Sequence, residues 1–110
     1  MSIRIVYMTA ASVEQARSLA ETAVQSRLAA CANIQPAIES IYHWDGDVQN
    51  DTESAVIFKT TDEAASQLMA LLKDRHPYDC PCLVSWSIDQ GSQEYLQWLK
   101  TQVEVGGSAD

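Results

Sequence analysis

The sequence predicts an α+β fold, a ferredoxin-like βαββαβ sandwich with a long β-hairpin and a C-terminal helix. The spacing of apolar residues alternates between the strand period and the helix period in this order, with a last helix after the sixth element. A strong hairpin turn signal also separates two long strand-like segments. Since 110 residues is close to the commonest domain size, we expect a single domain over residues 1–104 and a disordered tail over 105–110.

The first strand and helix are marked by a change of period. Residues Ile3 to Thr9 are short, β-branched and apolar on both faces, which is typical of a central strand. Ser12 with Gln15 three residues later is a capping-box start. Apolar positions at helical spacing then continue to Ala30, so we expect a helix from about Ser12 to about Ala30.

The middle of the chain predicts a hairpin with unusually long arms. Apolar and polar residues alternate from Ala32, Asp45-Gly46 favours a tight turn, and the return strand ends near Thr60. Each arm is therefore longer than the usual strand of about 5–6 residues. Pro36 predicts a bend at a bulge or at a sheet edge, because proline cannot donate to the ladder.

The last third predicts a helix, a strand and a helix. Asp62 is expected to cap the second helix, which must stop near His76 because Pro77 disfavours helical geometry before it. A strand is expected from Leu83 to Ile88, and Ser92 is expected to open the third helix.

The hairpin also predicts association of the chain with itself. Tyr42, Trp44 and Phe58 give it aromatic area that one small domain cannot bury, and its edges are long. We therefore expect it to dock onto a neighbouring copy.

The composition of the chain limits the classes of binding partner and the cellular compartment that we expect. The formal charge of −8 disfavours nucleic acid and anionic membranes, and no apolar run approaches the roughly 20 residues that span a bilayer. The first residues lack the layout of a secretory signal, so a cytoplasmic location is expected. There the three cysteines should be free thiols, and Cys31, which lies among alanines, is expected in the core.

One stretch, RHPYDCPC at residues 75–82, concentrates groups that can do chemistry. Pro81 favours an extended backbone, so the thiols of Cys80 and Cys82 should point to one side with Cα atoms about 6.6 Å apart. Two thiolates at that spacing favour a soft ion such as Cu(I) or Zn(II), and His76 is a possible third ligand. The alternatives are that the cysteines are small apolar residues lining the corner and that His76 bonds the carbonyls at the helix end.

The chain resembles the CutA family of divalent-cation tolerance proteins. The resemblance rests on the order and spacing of several segments over some 95 residues: LAACANI at 28–34, YHWDG at 42–46, Glu53, KTT at 59–61, HPY at 76–78 and YLQWL at 95–99. It implies the ferredoxin-like fold, a homotrimer held by the long hairpins, and an association with copper and other divalent metals.

The resemblance also adds a candidate ligand. Metal-binding members of the family place a cysteine near the end of strand one and two histidines before the PY of the corner, where this chain has Met8, Arg75 and His76. Cys82 stands where the family usually has a glutamate. The candidate metal ligands are therefore His76, Cys80, Cys82 and Met8, for copper or for zinc or another divalent metal.

Three functions follow from these observations. The first is a trimeric cytoplasmic protein that binds copper or other soft or divalent ions in metal tolerance or homeostasis, without catalysis. The second is a thiol enzyme, with Cys82 as nucleophile and His76 as base or with Cys80 and Cys82 as a redox pair. The third, by analogy between folds, is a signalling trimer that binds a small anion between subunits. Lys59 and Arg75 are the candidate cations for such a ligand, and the alternative is that they pair with nearby carboxylates.

Overall fold

The computed structural model describes residues 2–104 and contains a four-stranded antiparallel sheet with three helices. The strands are β1 (Ile3–Ala10), β2 (Cys31–Trp44), β3 (Asp47–Thr61) and β4 (Leu83–Ser87), and the helices are α1 (Val13–Gln25), α2 (Asp62–Arg75) and α3 (Gln93–Gln102). The strand order β2-β3-β1-β4 is that of the predicted ferredoxin-like sandwich, which is confirmed. The expected tail at 105–110 lies outside the described residues.

The main core lies between one face of the sheet and the helices α1 and α2. Val6 and Met8 of β1 and Phe58 of β3 contribute the larger sheet side chains, and all three are fully buried. Small alanines along α1 let the helix lie close to the sheet. β1 lies between β3 and β4, as its two apolar faces predict.

Helix α1 ends at Gln25, five residues earlier than the expected end at Ala30. Arg27 has a positive φ of 68°, a left-handed conformation that interrupts the helix. The amides of Leu28 and Ala29 nevertheless donate to the carbonyl of Ala23. Both side chains stay buried, so the apolar pattern continued although the helix did not.

The hairpin turn and the bend at Pro36 are both confirmed. Asp45 and Gly46 have φ values of +54° and +86°, as a type I′ turn requires. The β2–β3 register shifts between Gln35 and Ile38 on the edge strand, and this bulge leaves Ser54 opposite. The Ser54 hydroxyl donates to the Pro36 carbonyl over 2.7 Å, which satisfies an acceptor that the irregular ladder leaves free.

The hairpin extends well beyond the rest of the sheet. β1 pairs with β3 only from Ser54 to Thr61, so residues 47–53 project by about 24 Å at 3.4 Å per residue. Tyr42 and Trp44 are exposed there. The expectation that Phe58 joins them was wrong, because Phe58 lies within the sheet body, where its side chain faces the helices and is fully buried.

The ends of α2 agree with the sequence except for the identity of its cap. The cap is Thr61, whose hydroxyl accepts from the Ala64 amide over 3.3 Å. Asp62, the expected cap, is the first helical residue, and its carboxylate forms a salt bridge of 3.2 Å with Arg4. The helix ends at Arg75 with an extended His76 as its C-cap, in agreement with the stop near His76 that Pro77 predicts.

The second face of the sheet, here called the open face, is only partly covered by α3. That helix buries Leu99 against Ile3 and Ala30 at one end of the face, and Ser92 caps it as predicted. β4 ends at Ser87, one residue short of the expected Ile88.

In the described part of the chain, no helix has both the length and the apolar character needed to cross a membrane.

Candidate functional site

The candidate site is the corner of residues 75–82, which joins the end of α2 to edge strand β4. His76 is its most buried polar group, with only 7% of its surface exposed. Its Nε2 lies 2.8 Å from the Thr9 carbonyl oxygen, and the Tyr78 backbone amide donates to its Nδ1 over 3.1 Å. A carbonyl can only accept, so Nε2 carries the hydrogen and the ring is neutral.

These two bonds give His76 a structural role in this conformation. The imidazole ties strand β1 to the start of the corner, and its ring packs against Tyr78 with centroids 4.7 Å apart. Both ring nitrogens are occupied, so neither offers a lone pair to a metal ion or to Cys82. In this arrangement the His76 ring cannot act as the base that the thiol-enzyme hypothesis assigns to it.

Cys80 and Cys82 are both free and exposed. The Cys82 thiol lies near Thr9 and the Glu53 carboxylate. Burial raises the pKa of the Cys82 thiol and the negative charge of Glu53 raises it further, while a hydrogen bond with Thr9 acts in the opposite direction. A raised pKa is the opposite of what an activated cysteine nucleophile needs.

Met8 is separated from the solvent-exposed thiols. It has no exposed surface and packs in the main core on the helix-covered face of the sheet. It pairs with Leu83 at the start of β4, so it is next to the corner in the ladder. Across residues 2–104, no group of three or more His, Cys, Asp and Glu side chains is placed to hold a metal ion.

Next to the corner, the hairpin supplies a cluster of phenols and carboxylates that the sequence analysis missed. The Tyr42 hydroxyl donates to Asp51 over 2.5 Å, and this bond raises the pKa of Tyr42 to about 12. Burial, and then the charges of Glu53 and Asp51, raise the pKa of Tyr78. The signal was available, because a two-residue turn at 45–46 places Tyr42 diagonally opposite Asp51.

A second polar group lies on the open face, and it includes Cys31. The expectation that Cys31 is a core residue was wrong: it is half-buried, with Sγ 3.5 Å from the Tyr95 hydroxyl. Cys31 is the first residue of β2, and its pairing with Lys59 turns both side chains away from α1. The Lys59 ammonium lies 5.6 Å from the centre of the Tyr95 ring.

Lys59 and Arg75, the two cations proposed to bind a small anion, lie in different parts of the chain's surface. Lys59 lies on the open face, whereas Arg75 lies at the end of α2 and lines a groove with Ser18 and Thr22 of α1. The sheet and its helix layer separate the two groups, so one small ligand cannot contact both cations of the same chain.

Comparison with known proteins matches nearly the whole chain to a single family. The profile of the CutA1 divalent ion tolerance protein family matches residues 4–102. The divalent-cation tolerance protein CutA of Thermus thermophilus is 44% identical over 96 residues, which cover 87% of this chain and 93% of that protein. The chloroplastic protein CutA of Arabidopsis thaliana is 43% identical over 96 residues, but the matched part spans only 53% of its length.

The fold comparison agrees with the sequence comparison. The crystal structure of CutA1 from Oryza sativa superposes with a TM-score of 0.92 at 38% identity, and covers 94% of this chain and 95% of that one. Both the order of the elements and the long hairpin are therefore shared with a solved structure.

Proposed function

The chain belongs to the CutA1 divalent ion tolerance protein family, and from this premise we propose that it acts in divalent-cation tolerance as a cytoplasmic homotrimer that binds soft metal ions, copper in particular. The observation that carries the metal proposal is the pair of exposed free thiols on either side of Pro81. Binding without turnover is sufficient for such a role, since a bound ion is removed from the free pool.

The donor atoms of the corner fit a soft ion in part. Cys80 and Cys82 supply two thiols, the ligands that Cu(I) prefers. In this conformation His76 is bonded through both ring nitrogens and Met8 is buried, so the two thiols are the more accessible of the four candidate donors. Pro81 restricts the backbone between the thiols, which reduces the entropy lost when both bind one ion.

A Cu(I) titration against a competing chelator tests this proposal. We expect about one tight site per chain, and loss of that site when Cys80 and Cys82 are both changed to Ser. Cys31→Ser is the matched control, because it removes the third thiol without touching the corner. Met8→Leu should bind like the parent. The metal proposal fails if the double variant retains the parent affinity.

The exposed apolar surface of the hairpin supports the assembly. Ile41 and Val48 lie on one face of the projecting arms and are 65% and 63% exposed, whereas Trp44, 64% exposed, lies on the other. One partner covers only one face of a two-stranded arm. Burial of both faces requires two neighbours, which a closed ring of three copies provides.

Sedimentation equilibrium tests the assembly separately from metal binding. The wild-type chain should give three times its mass of 12.1 kDa at micromolar concentration. Changing Ile41 and Trp44 together to Ser should shift the chain toward the monomer. Val24→Ser, a matched control at an exposed apolar position of α1, should leave the trimer unchanged. A monomeric wild-type chain contradicts the proposal.

A further inference from the structure

On the open face, the Lys59 side chain is a cation that has no carboxylate partner among the described residues. It is half-buried, and within residues 2–104 no carboxylate forms a salt bridge with it. Arg4 shows the contrast, because it has Asp62 at 3.2 Å. The ammonium group lies over the Tyr95 ring, which stabilises the charge but offers no lone pair of the kind a carboxylate would give its three N–H bonds.

Two neutral donors lie around this ammonium group. The Cys31 thiol and the Tyr95 hydroxyl are 3.5 Å apart, and when the thiol donates, the phenol O–H is free to donate to a further acceptor. When the phenol instead donates to the Cys31 sulfur, that bond, together with burial, raises the pKa of Tyr95 to about 12. The phenol is protonated at neutral pH in both arrangements. The exposed Asn33 amide lies two residues along β2 on the same face.

This arrangement is suited to a single negative charge. One ammonium group surrounded by neutral donors balances one unit of charge, whereas a phosphate dianion would bring an excess charge onto a protein with a net charge of −8. We propose that Lys59, Tyr95 and Cys31 form a binding site for a carboxylate group. The site is built within one chain and does not require the trimer.

The carboxylate has two possible sources, which share this chemistry. One is a small free carboxylate. The other is the hairpin of a second copy, which between residues 31 and 58 contains no Lys or Arg and five acidic residues: Glu39, Asp45, Asp47, Asp51 and Glu53. Along β3 the acidic residue nearest to Lys59 is Glu53, six residues and about 20 Å away, and Asp47 is about 41 Å away. A hairpin carboxylate that reaches the site must therefore come from another molecule.

The first arm of the test uses acetate as the probe. The melting temperature is measured as sodium chloride is replaced by sodium acetate at constant ionic strength. If a free carboxylate binds, acetate raises the melting temperature of the wild type. Lys59→Met abolishes that rise and Tyr95→Phe reduces it. Lys73→Met, which removes an exposed lysine of α2, behaves like the wild type.

The second arm measures self-association by sedimentation equilibrium. If the hairpin supplies the carboxylate, Lys59→Met weakens association about tenfold or more. Changing Asp45 and Asp47 together to Asn has a similar effect, and Lys73→Met has none. Lys59→Glu combined with Asp47→Lys restores association if that pair is the contact. Lys59→Gln is a second replacement in case the methionine variant does not fold.

The outcomes separate this site from the proposed assembly. A monomeric wild type that acetate stabilises through Lys59 supports the site although the trimer is wrong. A trimer whose association and acetate response are the same in Lys59→Met, Lys59→Gln and Lys73→Met overturns the site and leaves the trimer intact.

Discussion

His76 shows how a residue type that often binds metals can instead hold a chain segment in place. It lies beside two thiols in sequence, yet its two bonds go to the Thr9 carbonyl and the Tyr78 amide. The first partner is 67 residues away in the chain. A buried ring with both nitrogens bonded stabilises the corner, so its removal should affect folding before it affects metal binding.

His76→Ala should therefore lower the free energy of unfolding by about 2 kcal/mol, because the partly buried Thr9 carbonyl loses its donor and the packing against Tyr78 is lost. Urea unfolding measures this change. His43→Ala, at an exposed hairpin position, is the control and should lie within about 0.5 kcal/mol of the wild type. Unchanged stability combined with a large loss of Cu(I) affinity would instead indicate a ligand.

The Cys82 thiol should react at a higher pH than an ordinary cysteine. Its pKa is raised by burial and by Glu53, so less thiolate is present at a given pH, and alkylation depends on the thiolate. The rate is measured against pH in a Cys31→Ser, Cys80→Ser background, with the urea-unfolded chain as reference. The midpoint should be higher in the folded chain and should fall in Glu53→Gln. A folded midpoint below the unfolded one would contradict this.

At the scale of single elements, the start of α2 shows how two neighbouring residues divide two roles. Thr61 supplies the capping oxygen, and Asp62 supplies the charge that pairs with Arg4. Both residue types are good N-caps, so sequence preference alone did not separate them. The backbone decides, because Thr61 is still extended and Asp62 is already helical.

Thr61→Ala should destabilise the protein by about 1 kcal/mol through loss of the cap. Thr61→Ser, which keeps the hydroxyl oxygen, is the matched control and should recover most of this loss. Asp62→Asn should cost less, about 0.5 kcal/mol, because the salt bridge to Arg4 is solvent-exposed. Thermal or urea unfolding ranks the three variants. A larger loss of stability in Asp62→Asn than in Thr61→Ala would indicate that Asp62 is the cap.

At the scale of the whole molecule, one face of the sheet packs in the chain's own core, and the open face is only partly covered. Phe58 belongs to the first and Trp44 to the exposed part of the hairpin. The two aromatic residues lie on the same hairpin but contribute to different processes: folding of one chain and, under the proposed function, association of several.

Phe58→Ala should destabilise the folded chain by about 3–5 kcal/mol, because it leaves a cavity in the main core. Trp44→Ala should leave the stability of the dissociated chain within about 0.5 kcal/mol of the wild type and weaken association instead. Urea unfolding at a protein concentration low enough for the assembly to dissociate, combined with sedimentation at higher concentration, separates the two effects. Equal effects of both variants on unfolding would place Trp44 in the core of the single chain.

The sequence by itself determined the elements, the tight turn, the bulge near Pro36 and the end of α2. Each depends on residues a few positions apart: a period, a cap, an Asp-Gly pair or a proline. With the order of elements these features were enough for the fold class. They also identified the corner as the segment that carries two thiols and an imidazole.

Only the tertiary structure decided which face of each strand is buried and which distant groups meet. Alternation divides β3 into two sets of side chains, but only packing against α1 and α2 buries Phe58 and leaves Lys59 on the open face. Cys31 and Tyr95 are 64 residues apart and meet because β2 and α3 reach the same end of that face. Such contacts depend on register and docking, which local spacing does not encode.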